Sequence, residues 1–516
     1  MLLLRIIAGL LLFGVVSLRA EPRQLLTFSD FNPTDPAITW EEENGTRFLR
    51  LTTPKPEVTI EQKRTIPLPA DVKGVDLFVR FRVANFKFGA GGDGKPSYGK
   101  DMHFRFKFLD AAGKAVPKSG GGFVFDSHAK TWTNLTRRVL VPAGATQLEI
   151  AAGNYKVAAG TLDLAEIRVT AMPDAEAEAL IQANAAAAKK AADDEAALPA
   201  ILALPPTTVE LKVAGNKLVT PTGQEVWLQG VNVCSLEWSA KGENVLRSIK
   251  VAIDDWKANV IRLPVHDKYW LGAEADAYRL LVDNAIKLAA ARGAYVILDL
   301  HRFHSPDEKA VEFWKDAGAR YANHPAVLFD LFNEPTMKDW GVWRNGGTIT
   351  YKDKTVEATG MQTLLETVRR TGARNIIVAG GIGYAYDLSG VLNGFALEDK
   401  SGNGIVYATH FYNWHRGWEQ KFLALAEKYP LLVGEFGADV KKMSFVPAKN
   451  QEDPYTWSPD ALALVQKYRL HWTAFSFHPK ATPVLLKNWD YEPTPFWGAF
   501  VKDALAGKSF ELQKLR

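Results

Sequence analysis

The stretch Ala326-Val-Leu-Phe-Asp-Leu-Phe-Asn-Glu334 is a short apolar run that ends in an amide and a carboxylate. Seven further apolar runs of strand length follow Thr207, and amphipathic segments of helix length lie between them. Strands that alternate with helices form a parallel sheet covered on both faces. Eight such units in 310 residues match the size of one (β/α)8 barrel. The sequence therefore predicts an α/β TIM barrel over residues 207–516.

The hydrophobic pattern places each unit of this barrel. The predicted strands are 226–233, 259–265, 294–301, 326–334, 375–381, 404–412, 431–437 and 471–477. The predicted helices are 244–258, 275–292, 308–323, 354–371, 418–428, 459–468 and 495–505. A doubly wound open sheet would need a phosphate-binding glycine loop after its first strand, and Gly230-Val-Asn-Val-Cys-Ser235 is not such a loop.

The chain before the barrel follows other patterns. Between residues 21 and 172, runs such as 75–82 and 103–108 alternate apolar and polar residues between Gly, Pro and Asp turns. This period of two predicts an antiparallel β-sandwich. Residues 173–206 follow, and Asp174 to Leu198 contain 12 Ala in 25 residues. Their helix-forming composition without an apolar stripe predicts a semi-rigid helical linker.

Composition and the first residues bear on the setting of the protein. Lys and Arg number 62 against 58 Asp and Glu, and this balance gives no reason to expect a nucleic-acid partner. The single Cys, Cys234, excludes an internal disulfide. Residues 1–20 have the basic start, apolar centre and small final residue of a cleaved signal peptide. We expect a secreted or periplasmic monomer without a stable membrane anchor.

Polar side chains end several predicted barrel strands, and such residues converge on one mouth of a TIM barrel. They are Arg262, His301, Asn333, Glu334, His410, Tyr412 and Glu435. Glu334 and Glu435 end the fourth and seventh strands, so they face each other across this mouth. Paired carboxylates can cleave a glycosidic bond, because one protonates the leaving oxygen while the other attacks the anomeric carbon. An ion-paired structural role is the alternative for any one of them.

The remaining residues would support this pair. We expect Arg262 and Tyr412 to donate hydrogen bonds to the nucleophile. Asn333 is placed to bind a sugar 2-hydroxyl, whose hydrogen bond strengthens in the transition state. His301 and His410 would orient sugar hydroxyls or tune the acid. His304, three residues after His301, invites a metal site, but no third ligand has suitable spacing, so no metal or other cofactor is expected.

The ordered motifs Asn-Val-Ile-Arg-Leu-Pro, Leu-Asp-Leu-His, Asn-Glu-Pro, His-Phe-Tyr and Gly-Glu-Phe-Gly resemble those of glycoside hydrolase family 5, the retaining cellulase and mannanase family. The resemblance covers residues 207–508 and implies that Glu334 is the acid/base and Glu435 the nucleophile. Where that family commonly has a Trp at the end of strand eight, this chain has Phe475, which we expect to stack on a sugar. Trp238, after strand one, would contact substrate at the mouth.

The predicted function is that of an exported retaining endo-β-glycosidase acting on a polysaccharide. An endo-β-1,4-glucanase is the first choice, and an endo-β-1,4-mannanase or a β-1,3-glucanase remains an alternative within the family. A glycan-binding protein without activity is the alternative from another class. The sandwich resembles a jelly-roll carbohydrate-binding module through Trp40, 44–51, 75–82, Trp132 and 160–169. A purely structural or dimerising role for it remains open.

Overall fold

The computed structural model describes residues 23–87, 89, 101–125, 129–351, 354–440, 442–443 and 445–516. The predicted signal peptide at residues 1–20 lies outside them. The chain divides between Glu195 and Ala196 into two compact units. Within the described ranges, no helix combines the length and the apolar character needed to cross a membrane.

The amino-terminal unit contains two antiparallel sheets. Its strands are β1 (Gln24–Leu26), β2 (Ile38–Glu43), β3 (Thr46–Thr52), β4 (Ile60–Pro67), β5 (Gly74–Lys87), β6 (Met102–Leu109), β7 (Gly121–Val124), β8 (Thr133–Leu140), β9 (Gln147–Asn154) and β10 (Ala159–Ala171). One sheet has the order β2-β3-β10-β5-β8, with β1 paired to β10, and the other has the order β4-β9-β6-β7. This arrangement confirms the predicted β-sandwich.

Alternation along the strands builds the core of the sandwich. Val79 and Phe81 of β5 face inward, and they share one buried cluster with Phe104 of β6 and Ile150 of β9. Residues between them, such as Arg80, face the other side of the sheet and are partly exposed. The period of two in the sequence therefore corresponds to one buried and one solvated face in each sheet.

A long helix, α1 (Asp174–Leu202), follows the sandwich. Its central residues are largely exposed, and two of its lysines pair with aspartates four positions later, Lys189 with Asp193 and Lys190 with Asp194. Such pairs stabilise a helix that has no apolar stripe to bury. Pro199 lies in its last turn.

The second unit contains a closed barrel of eight parallel strands, which confirms the predicted TIM barrel. Before it, β11 (Lys212–Ala214) and β12 (Lys217–Val219) form a hairpin. The barrel strands are β13 (Gln229–Asn232), β14 (Val260–Val265), β15 (Tyr295–Leu300), β17 (Val327–Asp330), β21 (Ile377–Gly380), β22 (Ile405–Tyr412), β23 (Leu431–Gly437) and β24 (His471–Ala474). β13 pairs with β24, and this pairing closes the barrel.

The connections contain the helices and two small sheets. The helices are α2 (Val245–Asp254), α3 (Asp267–Trp270), α4 (Ala275–Ala291), α5 (Glu308–Arg320), α6 (Trp340–Asn345), α7 (Met361–Arg370), α8 (Trp418–Lys421), α9 (Pro454–Lys467) and α10 (Gly498–Leu505). The small sheets pair β16 (Phe303–His304) with β18 (Glu334–Pro335), and β19 (Gly346–Tyr351) with β20 (Lys354–Thr359). Short 3-10 helices cover Phe28–Asp30, Leu423–Glu427 and Ala448–Asn450, and one π-helical turn covers Val391–Phe395.

One predicted helix, 354–371, is wrong over its first third. Lys354–Thr359 is a strand that pairs with Gly346–Tyr351, and the helix begins only at Met361. The segment Thr355-Val-Glu-Ala-Thr359 alternates polar and apolar residues and contains three β-branched residues, which favours a strand over a helix.

Alternation also decides which side chains enter the barrel. In β14, Val260 lies in the interior cluster, whereas Ile261 and Leu263 belong to the layer beneath the helices. Because side chains alternate between the two faces of a strand, Arg262 also points inward, two residues nearer the carboxyl end than Val260. In β15 the same alternation places Ile297 inside, followed by Asp299. The apolar interior therefore lies near the strand starts, and polar side chains fill the other end.

Candidate active site

Two buried glutamates lie together at the carboxyl end of the barrel. Glu334 begins β18, just after β17, and Glu435 lies in β23. Their exposed fractions are only 9% and 3%. One oxygen of each carboxylate and one ring nitrogen of His410 all lie within 4.8 Å of one another. Two carboxyl groups about 5 Å apart have the spacing of a retaining glycosidase pair.

Glu435 is surrounded by groups that favour its ionised form. Arg262 Nη1 donates to Oε1 at 2.8 Å, and the Tyr412 hydroxyl donates to Oε2 at 2.5 Å. Burial by itself favours the neutral acid, but the contact with His410, the charges of Arg262 and His301 and the hydrogen bond from Tyr412 outweigh it, so the pKa of Glu435 lies below its usual value. This carboxylate is therefore ionised at neutral pH.

Arg262 is held by a buried set of acceptors. Its Nε donates to Asp330 Oδ2 at 3.0 Å, and its Nη2 lies 3.1 Å from Asp299 Oδ1. Nη1 also donates to Asn232 Oδ1 at 3.0 Å, and Nη2 donates to Asn333 Oδ1 at 2.8 Å. Burial alone would lower the pKa of Arg262, but the aspartates and Glu435 raise it, so the guanidinium stays charged.

Glu334 has the opposite surroundings. Burial raises the pKa of its carboxyl well above the usual range, and the negative charge of Glu435 adds to the rise. His410 Nδ1 lies 3.0 Å from Glu334 Oε1. Burial lowers the pKa of His410 to about 3, so its imidazole is neutral. A Glu334 carboxyl that favours its protonated form therefore lies beside a Glu435 that favours its ionised form, which is the distribution that an acid and a nucleophile require.

Gly434 has no side chain for a reason of space. A Cβ at this position would lie 2.8 Å from His410 Nε2. His410 is 1% exposed and has no room to move away. The glycine before Glu435 therefore allows the imidazole to reach Glu334.

The backbone of Glu334 is held by the short pairing of β16 with β18. Its N–H donates to the carbonyl of Arg302 at 3.1 Å, and the N–H of Thr336 donates to the carbonyl of His304 at 2.8 Å. His304 has a φ of 82°, which is unusual for a residue with a side chain. His304 thus contributes to the site through its carbonyl.

His301 follows β15 and lies against Asp299, whose Oδ2 is 2.7 Å from His301 Nδ1. Burial alone would lower the pKa of His301, but the charge of Asp299 and its hydrogen bond raise it to about 9. His301 is therefore a cation at neutral pH, placed on the wall of a cleft.

A cleft of about 1070 Å³ lies on this side of the barrel mouth. The predicted residues Trp238, His301 and Phe475 line it together with Phe303, which is 46% exposed. Exposed aromatic rings suit the apolar faces of sugars. Asn333 Nδ2 is buried and has no hydrogen-bond partner among the described residues, so it can donate to a bound group.

A metal ion has one candidate position among the described residues. Glu334, His410 and Glu435 each offer one ligand atom to it. The neighbouring Arg262 already neutralises Glu435, so this cluster suits a proton and a sugar better than a cation.

Several residues that shape the site were not predicted from the sequence. Asn232, Asp299 and Asp330 hold Arg262, and Phe303 lines the cleft. Candidate residues were those at the ends of predicted strands, whereas Asp299 and Asp330 lie inside the predicted apolar strands 294–301 and 326–334. A charged residue at an inward position of a buried strand was the available signal.

Comparison with known proteins agrees with this geometry. The family model described as Cellulase (glycosyl hydrolase family 5) matches residues 219–481. Endoglucanase A of Butyrivibrio fibrisolvens is 28% identical over 242 residues, which are 44% of this chain and 52% of that protein. Endoglucanase E-5 of Thermobifida fusca is 24% identical over 285 residues, covering 52% of this chain and 55% of that protein.

Among solved structures, a β-glucanase of Saccharophagus degradans in complex with cellotetraose is 24% identical, with a TM-score of 0.48. The matched region covers 58% of this chain and 94% of the β-glucanase chain. The chain spans about half the length of the curated relatives it matches. Because the family match includes both glutamates and more than half of the chain, the protein belongs to glycosyl hydrolase family 5.

Proposed function

We propose that this protein is an exported retaining endo-β-1,4-glucanase, with Glu435 as nucleophile and Glu334 as acid/base. The observation that carries the proposal is the pair of adjacent buried carboxyls whose pKa values shift in opposite directions. The names of the curated relatives, which are endoglucanases, support β-1,4-glucan as the substrate. The sequence of residues 1–20 supports export.

The first chemical step uses both glutamates. Glu435 attacks the anomeric carbon while Glu334 gives its proton to the leaving glycosidic oxygen, and a glycosyl ester on Glu435 forms. Arg262 and Tyr412 keep the attacking carboxylate ionised and oriented. Asn333 Nδ2 donates to the sugar hydroxyl next to the reacting carbon.

The second step releases the sugar. Glu334, now ionised, takes a proton from water, and the hydroxide formed displaces Glu435 from the anomeric carbon. The product keeps the original β configuration, because the carbon is inverted twice. Both carboxyls then return to their starting protonation states.

Reducing-sugar release from a panel of polymers tests the substrate. The panel contains carboxymethylcellulose, mixed-linkage glucan, glucomannan, galactomannan, xyloglucan, xylan and β-1,3-glucan, with Glu435→Gln as the control. We expect release from the β-1,4-glucans and its loss in the control. Preference for galactomannan would indicate a mannanase, and preference for β-1,3-glucan would indicate a β-1,3-glucanase. Binding of these polymers without turnover would indicate a glycan-binding protein.

Azide and an aryl cellobioside test the two assigned roles. In Glu435→Ala, azide fills the vacated space and attacks directly, so the expected product is the α-glycosyl azide. In Glu334→Ala, azide intercepts the glycosyl ester, so the expected product is the β-glycosyl azide. The opposite pairing of variants and products would reverse the assignment.

A further inference from the structure

The last residues of the chain lie along helix α9. After α10, the N–H of Phe510 donates to Gln466 Oε1 at 2.9 Å. Further on, the N–H of Gln513 donates to Asp460 Oδ1 at 2.7 Å. Both acceptors belong to α9, so this segment follows the helix toward the residues that precede it.

Arg516 ends this path in a buried position. Its side chain is 2% exposed. Nε and Nη2 donate to the two oxygens of Glu452 at 3.0 and 2.8 Å, and Nη1 donates to Asp460 Oδ2 at 2.8 Å. The guanidinium also lies 5.2 Å from the ring centre of Trp418. A two-pronged contact of this kind fixes the geometry of both partners.

Glu452 connects Arg516 to the segment after β22. Its N–H donates to the carbonyl of Asn413 at 3.1 Å, and Asn413 Nδ2 donates to the carbonyl of Glu452 at 2.5 Å. Its carboxylate also lies 2.9 Å from Arg416 Nη2. The segment 413–416 is therefore held at both ends by one residue.

The segment 413–416 supports Tyr412, which donates to Glu435. The ring of Trp414 is stacked on that of Tyr412 at 4.9 Å with an angle of 11°. The N–H of Tyr412 donates to His415 Nδ1 at 2.9 Å. Burial lowers the pKa of His415 to about 4, so its ring is neutral and can accept this bond.

We propose that Arg516 is a positioning residue, which fixes segment 413–416 through Glu452 and thereby holds the Tyr412 hydroxyl on Glu435. This inference rests on the proposed function, in which Glu435 is the nucleophile. The Arg516 guanidinium contacts Glu452, Asp460, the carbonyl of Lys514 and Trp418, and not the reacting carboxylates. Its effect is carried by contiguous contacts from Glu452 to Asn413 and Arg416.

The Glu435 carboxylate is faced by charged or titratable groups from several strands. They are Arg262, Asp299, His301, Asp330, Glu334, His410, Tyr412 and the thiol of Cys234. Of these groups, Tyr412 is the one that segment 413–416 contacts through a stacked ring and a hydrogen bond. Loss of the contact between Arg516 and Glu452 therefore weakens one donor to Glu435 while the others stay in place, and the pKa of Glu435 rises.

The test compares full-length Arg516→Met and Arg516→Lys with wild type on a soluble β-1,4-glucan. We expect kcat/KM to fall about tenfold or more in Arg516→Met, because small displacements at a reacting group cost large factors in rate. The acidic limb of the kcat/KM profile should move toward higher pH. Arg516→Lys should recover part of both effects. The control Lys508→Met removes an exposed cation from the same terminal segment and should behave as wild type.

A purely structural role of Arg516 would give another result. If Arg516→Met lowers the melting temperature but leaves kcat/KM and the acidic limb unchanged well below that temperature, the inference is wrong. If Arg516→Met does not fold, Arg416→Met interrupts the same path at a side chain that is 44% exposed, and an unmoved acidic limb there also overturns it. Absence of turnover by wild type would overturn both the proposed function and the positioning role. Turnover by wild type with unchanged kcat/KM and acidic limb in Arg516→Met would overturn the positioning role alone.

Discussion

Two glutamates with the same intrinsic acidity differ here because of the groups that touch them. Glu435 accepts from a guanidinium and a hydroxyl, and these donors together with His410 and His301 outweigh its burial. Glu334 has a neutral imidazole as its neighbour, and the charges of His301 and Arg262 offset only part of its burial beside a second carboxylate. Environment alone therefore separates an acid from a nucleophile within one site.

Tyr412→Phe should move the acidic limb of activity toward higher pH. A hydrogen bond to a charged group contributes roughly 1.5–3 kcal/mol, which corresponds to about one to two units in the pKa of Glu435. Attack requires the carboxylate, which is lost as pH falls through its pKa, so removing the donor makes this loss occur at a higher pH. The measurement is kcat/KM against pH on a soluble glucan.

The control for this prediction is Tyr295→Phe. Tyr295 starts β15, and its hydroxyl donates to the carbonyl of Val209 at 3.1 Å, at the end of the barrel away from the glutamates. The acidic limb of the kcat/KM profile of Tyr295→Phe should match that of wild type. An unmoved limb in Tyr412→Phe would mean that Arg262 alone keeps Glu435 ionised.

Among the structural elements, the β15 to α5 connection affects the site most directly, because β16 within it holds the backbone of Glu334. This connection is anchored by Arg302, whose guanidinium contacts Asp267 at 2.8 Å and Asp307 at 2.6 and 2.9 Å. Asp307 is also the N-cap of α5. The Asp307 side chain thus caps helix α5 and, through Arg302, anchors the connection.

Asp307→Ala should destabilise the protein more than Asp339→Ala. Both aspartates are N-caps, of α5 and α6, and each accepts from a backbone N–H of its own helix. Loss of a cap costs about 0.5–2 kcal/mol, and loss of the charged contact to Arg302 adds roughly 1.5–3 kcal/mol. Equilibrium unfolding in urea measures the difference. Equal losses in the two variants would show that the Arg302 contact contributes nothing.

On the scale of the whole molecule, the sandwich and the barrel have separate cores. The sandwich core combines Leu49 and Phe81 with Phe104, and the barrel core combines Ile249 and Trp314 with Phe436. A unit with its own core can fold alone. We therefore propose the sandwich, 21–172, as an accessory module and 173–206 as its linker.

Removal of residues 21–172 tests this division. We expect the shortened chain to turn over soluble glucan at the rate of wild type, because the described residues of the site all lie after residue 206. Its binding to insoluble cellulose, measured by co-sedimentation, should weaken. Failure of the shortened chain to fold would instead show that the sandwich has a structural role, and unchanged binding would exclude a role in polymer attachment.

Much of this protein is determined by sequence patterns of short range. The continuous apolar run of strands such as Tyr295–Leu300, with helix-length segments between the runs, is sufficient to predict a buried parallel sheet, and polar residues at strand ends are sufficient to locate the mouth. Residues 355–359 also alternate polar and apolar character, but they adjoin the helical pattern of 361–370, so the sequence does not show where the strand ends and the helix begins. Patterns of this kind state which face a residue occupies, because the backbone geometry of a strand repeats every two residues.

Only the tertiary structure decides which of these residues touch. Arg262 and Glu435 are 173 positions apart, and nothing local indicates that Asp299 and Asp330 hold the same guanidinium. The contact of Arg516 with Glu452 spans 64 positions. A pKa depends on burial and on distances to charges from other strands, so the opposite acidities of Glu334 and Glu435 arise when the barrel closes.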